Sequence, residues 1–256
     1  MLLIRILAIV LLLSLFAPSA HSGQNVAGQN VAGQNVAGKN VAGENVDGQN
    51  VAGKKVSNEL FSPKPATPTR FFSADLSMPE KFNTTNNLIQ KTGSFYAAFG
   101  EMLFVQGVVK DSFGLPIDNA IIEIWQTNSA GKYQTLLNDN SDLIDKNFNM
   151  SGRTITDNLG NYFFVTIVPG FYLNRAPHIN FNVYHPKFGK LETEMYFENH
   201  PKNDLDYEYL SYSEDDRKLL TAKVRLSDIF NSKSTKIATF NIVMKGVQQY
   251  KNFGNK

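Results

Sequence analysis

From about Phe71 onward the chain is a succession of short runs of Val, Ile, Phe and Tyr, each closed by turn residues. Met102-Leu-Phe-Val-Gln-Gly-Val-Val reads as a strand and Asp111-Ser-Phe-Gly-Leu-Pro as its turn. Ala120-Ile-Ile-Glu-Ile-Trp-Gln reads as the next strand, with Asn128-Ser-Ala-Gly as a further turn. Asp157-Asn-Leu-Gly turns into Asn161-Tyr-Phe-Phe-Val-Thr-Ile-Val, Pro169-Gly170 interrupts, and His178-Ile-Asn-Phe-Asn-Val-Tyr resumes. Ile237-Ala-Thr-Phe-Asn-Ile-Val-Met reads as a closing strand. Glu214-Asp-Asp-Arg-Lys-Leu-Leu-Thr-Ala-Lys alone looks helical, and without a sustained apolar stripe it should be short. Short strands with this punctuation bury their apolar residues in a sandwich or a barrel, so an all-β domain over 71–256 is expected. About 180 residues suffice for a sizeable core.

What precedes that domain has different physics. Residues 1–22 carry Arg5, a short apolar run from Ile6 to Phe16, and the small residues Ala20 and Ser22 before a plausible cut. A membrane span needs about 20 apolar residues, so this pattern reads as a cleaved secretory signal. Residues 23–57 repeat GQNVA-type pentapeptides. Five helical steps of about 100° scatter the valines around the axis, and an odd period alternates them between the faces of a strand. Neither geometry gives a buried face, so a low-complexity tether is expected, followed by a Pro-containing linker over 58–70.

The chain has no cysteine, which removes disulfides, thiolate catalysis, zinc ribbons and iron–sulfur clusters. Any metal site must use His, Tyr, Asp, Glu or amide ligands. Lys+Arg 25 against Asp+Glu 23 leaves a formal net charge of +2 with no dense basic run, so no nucleic-acid footprint is present. A secretory signal without disulfides fits a bacterial envelope, either secreted or periplasmic, with no membrane span after signal cleavage. Asn83-Thr-Thr and Asn149-Met-Ser match glycosylation sequons, read here as chance matches.

Three histidines fall in the domain: His178, His185 and His200. His178 stands out by its company: Gly131-Lys-Tyr133, Pro169-Gly-Phe-Tyr172 and Arg175-Ala-Pro-His178-Ile-Asn180-Phe. Taken singly, Tyr133 and Tyr172 read equally well as turn tyrosines with bonded hydroxyls, and Arg175 as the partner of a carboxylate.

Taken together and in order, these motifs resemble intradiol ring-cleavage dioxygenases, most of all the β subunit of protocatechuate 3,4-dioxygenase. Gly107-Val-Val-Lys-Asp-Ser-Phe-Gly-Leu-Pro-Ile, Glu123-Ile-Trp-Gln-Thr-Asn-Ser-Ala-Gly-Lys-Tyr133 and the stretch from Gly152 to Tyr172 carry the likeness over roughly residues 71–250. The resemblance implies an intradiol-dioxygenase-like β-sandwich holding a non-haem ferric ion. Tyr133 and Tyr172 would be tyrosinate ligands and His178 the first histidine ligand, a donor set whose hard phenolate oxygens suit iron(III). Arg175 would stabilise the electron-rich substrate in the transition state. By the same resemblance a catecholate chelates the iron and displaces Tyr172, dioxygen attacks the ring, and cleavage between the hydroxyl-bearing carbons yields a muconate-type diacid. The family's protocatechuate enzymes pair α and β chains, which leaves a homo-oligomer or a partner chain open here.

Two positions depart from the family pattern. Asn180 stands where the second histidine ligand belongs, on the same strand face as His178, and an amide oxygen is a weak donor. His185, at an odd offset from His178, should face the other way. Glu194, in Leu191-Glu-Thr-Glu194-Met-Tyr-Phe, replaces a glutamine of the family, and its carboxylate would either reach the metal or oppose an anionic substrate. Two further readings stay beside the enzyme: a degenerate, metal-free sandwich serving as an envelope binding module, and a carrier that keeps iron without turnover.

Overall fold

Strand β1, Met102–Lys110, alternates buried and less buried residues along its whole length, placing Leu103, Val105, Gly107 and Val109 on one inward face. That period of two is what a half-buried antiparallel strand requires. The computed structural model describes residues 62–71, 77–134, 142–227 and 235–247. The expected signal peptide, the pentapeptide repeat and the start of the linker lie outside the described residues, which all belong to one unit over 55–256.

The remaining strands are β2 (Ile121–Trp125), β3 (Ser151–Ile155), β4 (Asn161–Ile167), β5 (His178–His185), β6 (Gly189–Phe197), β7 (Thr221–Leu226), β8 (Lys236–Thr239) and β9 (Ile242–Val243). They hydrogen-bond in the order β3-β2-β5-β6-β7-β8-β1-β4, with β9 also on β1. The path crosses from β6 to β7 through two residue pairs, Tyr196 with Thr221 and Phe197 with Ala222. Its two halves then share one core. Phe181 of β5 packs on Tyr162 of β4 at 6.2 Å and on Phe240 at 5.2 Å, ring to ring. Val105, Ile122, Phe164, Ile179, Val183 and Ala238 fill the same layer, each fully buried. A buried side chain of this kind contributes about 1.5–3 kcal/mol.

The turns form as their residues dictate. Asp111 Oδ1 accepts the backbone N–H of Phe113 and of Leu115, and Asp157 Oδ1 accepts those of Leu159 and Asn161. These side-chain bonds replace the backbone pairing a turn lacks.

Two expectations are revised in detail. The closing strand over 237–244 is broken into β8 and β9, because Asn241 Oδ1 takes the Val108 N–H that a continuous ladder would have paired. The expected helix ends at Leu220: α2 is Glu214–Leu220, and Thr221-Ala-Lys opens β7. A shorter helix that the sequence pattern did not suggest, α1 (Tyr207–Ser211), precedes it after a 3-10 turn over Asn203–Leu205. Residues 62–70 are extended against the sandwich, with Lys64, Thr67 and Arg70 donating N–H to the carbonyls of Ser112, Val243 and Glu192. The described part of the proline-containing segment is therefore tied down by ladder-like bonds.

Candidate functional site

Seven of the eight residues of β5 are buried, against the alternation seen in β1, so both of its faces are covered. Ile179, Phe181 and Val183 enter the core. His178, Asn180 and Asn182 occupy the opposite face by strand alternation. Pairing extends that row across the sheet: Asn180 lies between Trp125 of β2 and Glu194 of β6, and His178 lies beside Tyr196. What covers this outer face is chain from elsewhere. The Arg70 guanidinium sits 5.1 Å above the Trp125 ring, Phe82 meets Trp125 edge-on at 5.7 Å, and Tyr209 of α1 packs on Tyr196 at 4.8 Å.

Two loops lay tyrosines over the same face. The loop after β2 carries Tyr133, the loop after β4 carries Tyr172, and backbone contact locks them together. Asn128 O accepts N–H bonds from both Gly131 and Gly170, at 3.0 and 2.9 Å, and Thr127 Oγ1 donates to Gly170 O at 2.8 Å. A Cβ at Gly131, where φ is +72°, would stand 2.0 Å from Phe171 O, and one at Gly170 would stand 2.3 Å from Gly131 N. Only glycine permits that approach. The clamp sets the Tyr133 and Tyr172 rings perpendicular with centroids 5.2 Å apart. Tyr133 is buried and Tyr172 half-buried. Beyond Tyr172 the chain turns back through Leu173, at φ +51°, and Tyr172 and Arg175 exchange backbone bonds.

One side chain on the sheet meets Tyr133. Asn180 Nδ2 donates to Tyr133 Oη at 3.1 Å and to Trp125 O at 3.2 Å. His178 Nδ1 lies 2.7 Å from Ala176 O, an atom that can only accept, so Nδ1 carries the proton and Nε2 keeps its lone pair. Burial pushes the His178 imidazole below its ordinary range, against the opposing pull of the Glu194 charge. A neutral imidazole with one nitrogen fixed by a carbonyl is the form that ligates a metal.

Arg175 is the hub of the charged part of the site. Its Nε bonds Asp206 at 3.1 Å, one terminal nitrogen reaches Glu208 at 2.9 Å, and the other meets both Glu194 Oε2 and Tyr196 Oη at 2.8 Å. Tyr196 Oη donates to the same Glu194 oxygen at 2.6 Å. Burial works against the guanidinium charge, but these carboxylates and Tyr196 outweigh it and hold Arg175 fully protonated. One cation facing three carboxylates leaves an excess of negative charge. Accordingly Glu208 is pushed up to about 7, by burial first and by Glu194 next, and burial with the Glu194 charge drives the Tyr196 phenol well upward. Asp206 is fully buried: it also accepts the Ala176 N–H and caps α1 through the N–H groups of Glu208 and Tyr209.

Of the residues singled out in the sequence, Tyr133, Tyr172, Asn180 and His178 lie on one covered face, with Arg175 and Glu194 in an ion-pair network beside them. His185 is at the far end of β5 against Phe188, and His200 lies in the loop after β6. Asp206, Glu208 and Tyr196 were not anticipated. The one sequence signal for them was a buried-side arginine that needed partners, and Asp206 reads as a helix cap only once α1 is known. Among the described residues no group of three or more His, Asp or Glu is placed to hold a metal ion. Two phenol oxygens and one neutral imidazole form a donor set that suits a hard trivalent cation. A cleft of about 520 Å³ includes Gln134, the residue after Tyr133, with Lys81 and Lys91 on its walls.

Comparisons with known proteins bear on the family and the fold. A family model described as "Dioxygenase" matches residues 79–246. The protocatechuate 3,4-dioxygenase beta chain of Burkholderia cepacia is 39% identical over 110 residues, covering 40% of this chain and 47% of that one. A Rickettsia typhi protein named as a dioxygenase is 34% identical over 127 residues, 46% of this chain and 60% of its own. The chain thus spans about half to three fifths of the length of these relatives. Among solved structures, the dioxygenase domain of a dioxygenase and carbohydrate-binding fusion from Streptomyces sp. SirexAA-E superposes with a TM-score of 0.56 at 22% identity. The match covers 72% of this chain and all of that one, a likeness of fold.

Proposed function

Because the chain belongs to the intradiol ring-cleavage dioxygenase family, we propose that it is a secreted non-haem iron(III) protein. In this reading it opens a catechol- or protocatechuate-type aromatic between its two hydroxyl-bearing carbons. The observation that carries the reading is the perpendicular contact of Tyr133 and Tyr172 over the strand face that bears His178. Iron(III) would act there as a Lewis acid and electron acceptor, making a chelated catecholate reactive toward dioxygen.

The residues divide the remaining work. Tyr133 Oη, Tyr172 Oη and His178 Nε2 are the atoms that would hold the ion, and Ala176 O keeps the imidazole in the tautomer that leaves Nε2 free. The two tyrosines are not equivalent. Tyr133 is buried and tied to Asn180, so it stays in place. Tyr172 is half-buried on a reversing turn, so its oxygen would be the freer of the two and would take the proton given up by a catechol hydroxyl. Arg175 and its carboxylates form the wall beside His178; the excess negative charge there favours placing the ring substituent away from Glu194. The secretory reading rests on residues 1–22 and is part of this proposal.

A second reading, a metal-free binding module, draws on the amide at 180 and on Arg175 being neutralised by three carboxylates. One experiment separates them. The purified protein is loaded with iron(III), and iron per chain, the visible tyrosinate-to-iron band, and dioxygen uptake with catechol and protocatechuate are recorded. Near-stoichiometric iron with a band and dioxygen uptake is expected. Colour without uptake would point to a carrier, and neither iron nor colour would leave the binding module.

A further inference from the structure

Asn180 occupies a position from which it would be expected to ligate, yet its orientation speaks for another role. Its amide nitrogen faces two oxygens at once, Trp125 O at 3.2 Å and Tyr133 Oη at 3.1 Å. Trp125 O is a backbone carbonyl and can only accept, so the NH2 end of the amide is fixed toward it and hence toward Tyr133. Turning the amide over would set Oδ1 against that carbonyl in a site where Asn180 is only 1% exposed. An amide nitrogen has no available lone pair and presents positively polarised hydrogens. A cation held by Tyr133 Oη would sit about 2 Å from that oxygen, next to hydrogens that repel it.

We infer that Asn180 is a positioning residue that holds the Tyr133 phenol oxygen through its amide hydrogen bond and takes no coordination place of its own. The inference rests on the iron-site reading above for what Tyr133 does, and on the Asn180–Tyr133 contact for the bond. The donors left are Tyr133, Tyr172 and His178, a three-donor centre in which the amide fixes one phenolate. Cross-strand pairing explains how this is possible. Trp125 and Asn180 are directly opposed in the β2–β5 ladder, so the carbonyl that orients the amide and the residue that uses it belong to one rigid row.

The test uses the whole protein and two independent readouts. The first needs no metal: a double-mutant cycle of Asn180→Leu and Tyr133→Phe by urea unfolding. A hydrogen bond between the two predicts non-additivity of roughly three- to tenfold in the folding constant; additive effects overturn the inference. The second uses iron(III), with gallium(III) as a redox-silent probe of metal content. In Asn180→Leu that still holds iron, the tyrosinate band moves to longer wavelength, since a phenolate that loses a hydrogen bond gives up its electrons more easily. An unmoved band overturns it as well. If the unmutated protein binds neither metal, the iron-site reading fails while the metal-free cycle still decides the role of Asn180.

Discussion

Replacing Gly170 by alanine places a methyl group 2.3 Å from Gly131 N, 2.6 Å from Ser129 O and 2.9 Å from Gly131 Cα. All three are backbone atoms, so no side chain can swing aside. Ordinary contact begins near 3.4 Å, and 3.4 − 2.3 requires the two loops to part by about 1 Å. Those loops carry Tyr133 and Tyr172, whose rings are 5.2 Å apart, so the separation falls on the candidate donor atoms. Overpacking of this kind costs about 1–3 kcal/mol, which for a domain of this size is a fall in Tm of about 2–12 °C. Iron or gallium stoichiometry should drop together with the Tm. Gly189→Ala is the control: φ there is +77°, but nothing lies within 4 Å of the added methyl, so it incurs backbone strain of about 1 kcal/mol without touching the site. Gly131→Ala and Gly170→Ala should be less than additive, because either one opens the same contact. The reasoning would be refuted by a Gly170→Ala protein with unchanged Tm and full metal loading.

Glu208 is raised to about 7, so the folded protein holds that proton more tightly than the unfolded chain does. Its contribution is present at low pH and is lost as pH rises from the ordinary carboxylate range to about 7; unfolding in urea should show a decline of about 1–3 kcal/mol over that window, flattened in Glu208→Gln. Asp206→Ala removes the fully buried partner of Arg175 and the cap of α1 together, with an expected loss of about 3–5 kcal/mol, while Asp206→Asn should cost less because an amide can still cap; equal losses in chemical denaturation would contradict this. Tyr162→Phe deletes the buried bond from Tyr162 Oη to Phe240 O at 2.6 Å, which spans β4 and the break between β8 and β9. It should lower stability by about 1–2 kcal/mol with no change in metal content, as measured by calorimetry and metal analysis.

The strands and turns of the sandwich were largely legible because their causes are local. Alternation in β1 and side-chain bonds at Asp111 and Asp157 act within a few residues, and so the runs at 102–109, 120–126, 161–168 and 178–184 fall on β1, β2, β4 and β5. Where a neighbour decides, the sequence pattern misled. The closing strand reads as continuous, yet Asn241 Oδ1 takes the Val108 N–H and breaks the ladder where β1 brings Gly107 against Phe240. Helix α1 is five residues long and too short to show periodicity; the capping bonds of Asp206 and packing on Tyr196 hold it. The proline-containing segment before Phe71 reads as linker because its partners, Ser112, Val243 and Glu192, are distant in sequence.

The candidate site divides in the same way. Motif order, through the resemblance to intradiol dioxygenases, put Tyr133, Tyr172, His178 and Arg175 forward as one group; the lack of cysteine excluded a thiolate, and strand alternation set Asn180 on the face of His178. Hydrogen-bond direction and charge balance were decided only in three dimensions. An asparagine can offer either end of its amide, and the Trp125 carbonyl, 55 residues away, chooses the donor end. An arginine in a sequence is a positive charge, but Arg175 is neutralised by Glu194, Asp206 and Glu208, brought by β6 and the loop into α1. Both outcomes follow from long-range pairing at distances of 2.8–3.2 Å, a scale at which side-chain chemistry is set by neighbours that sequence proximity does not reveal.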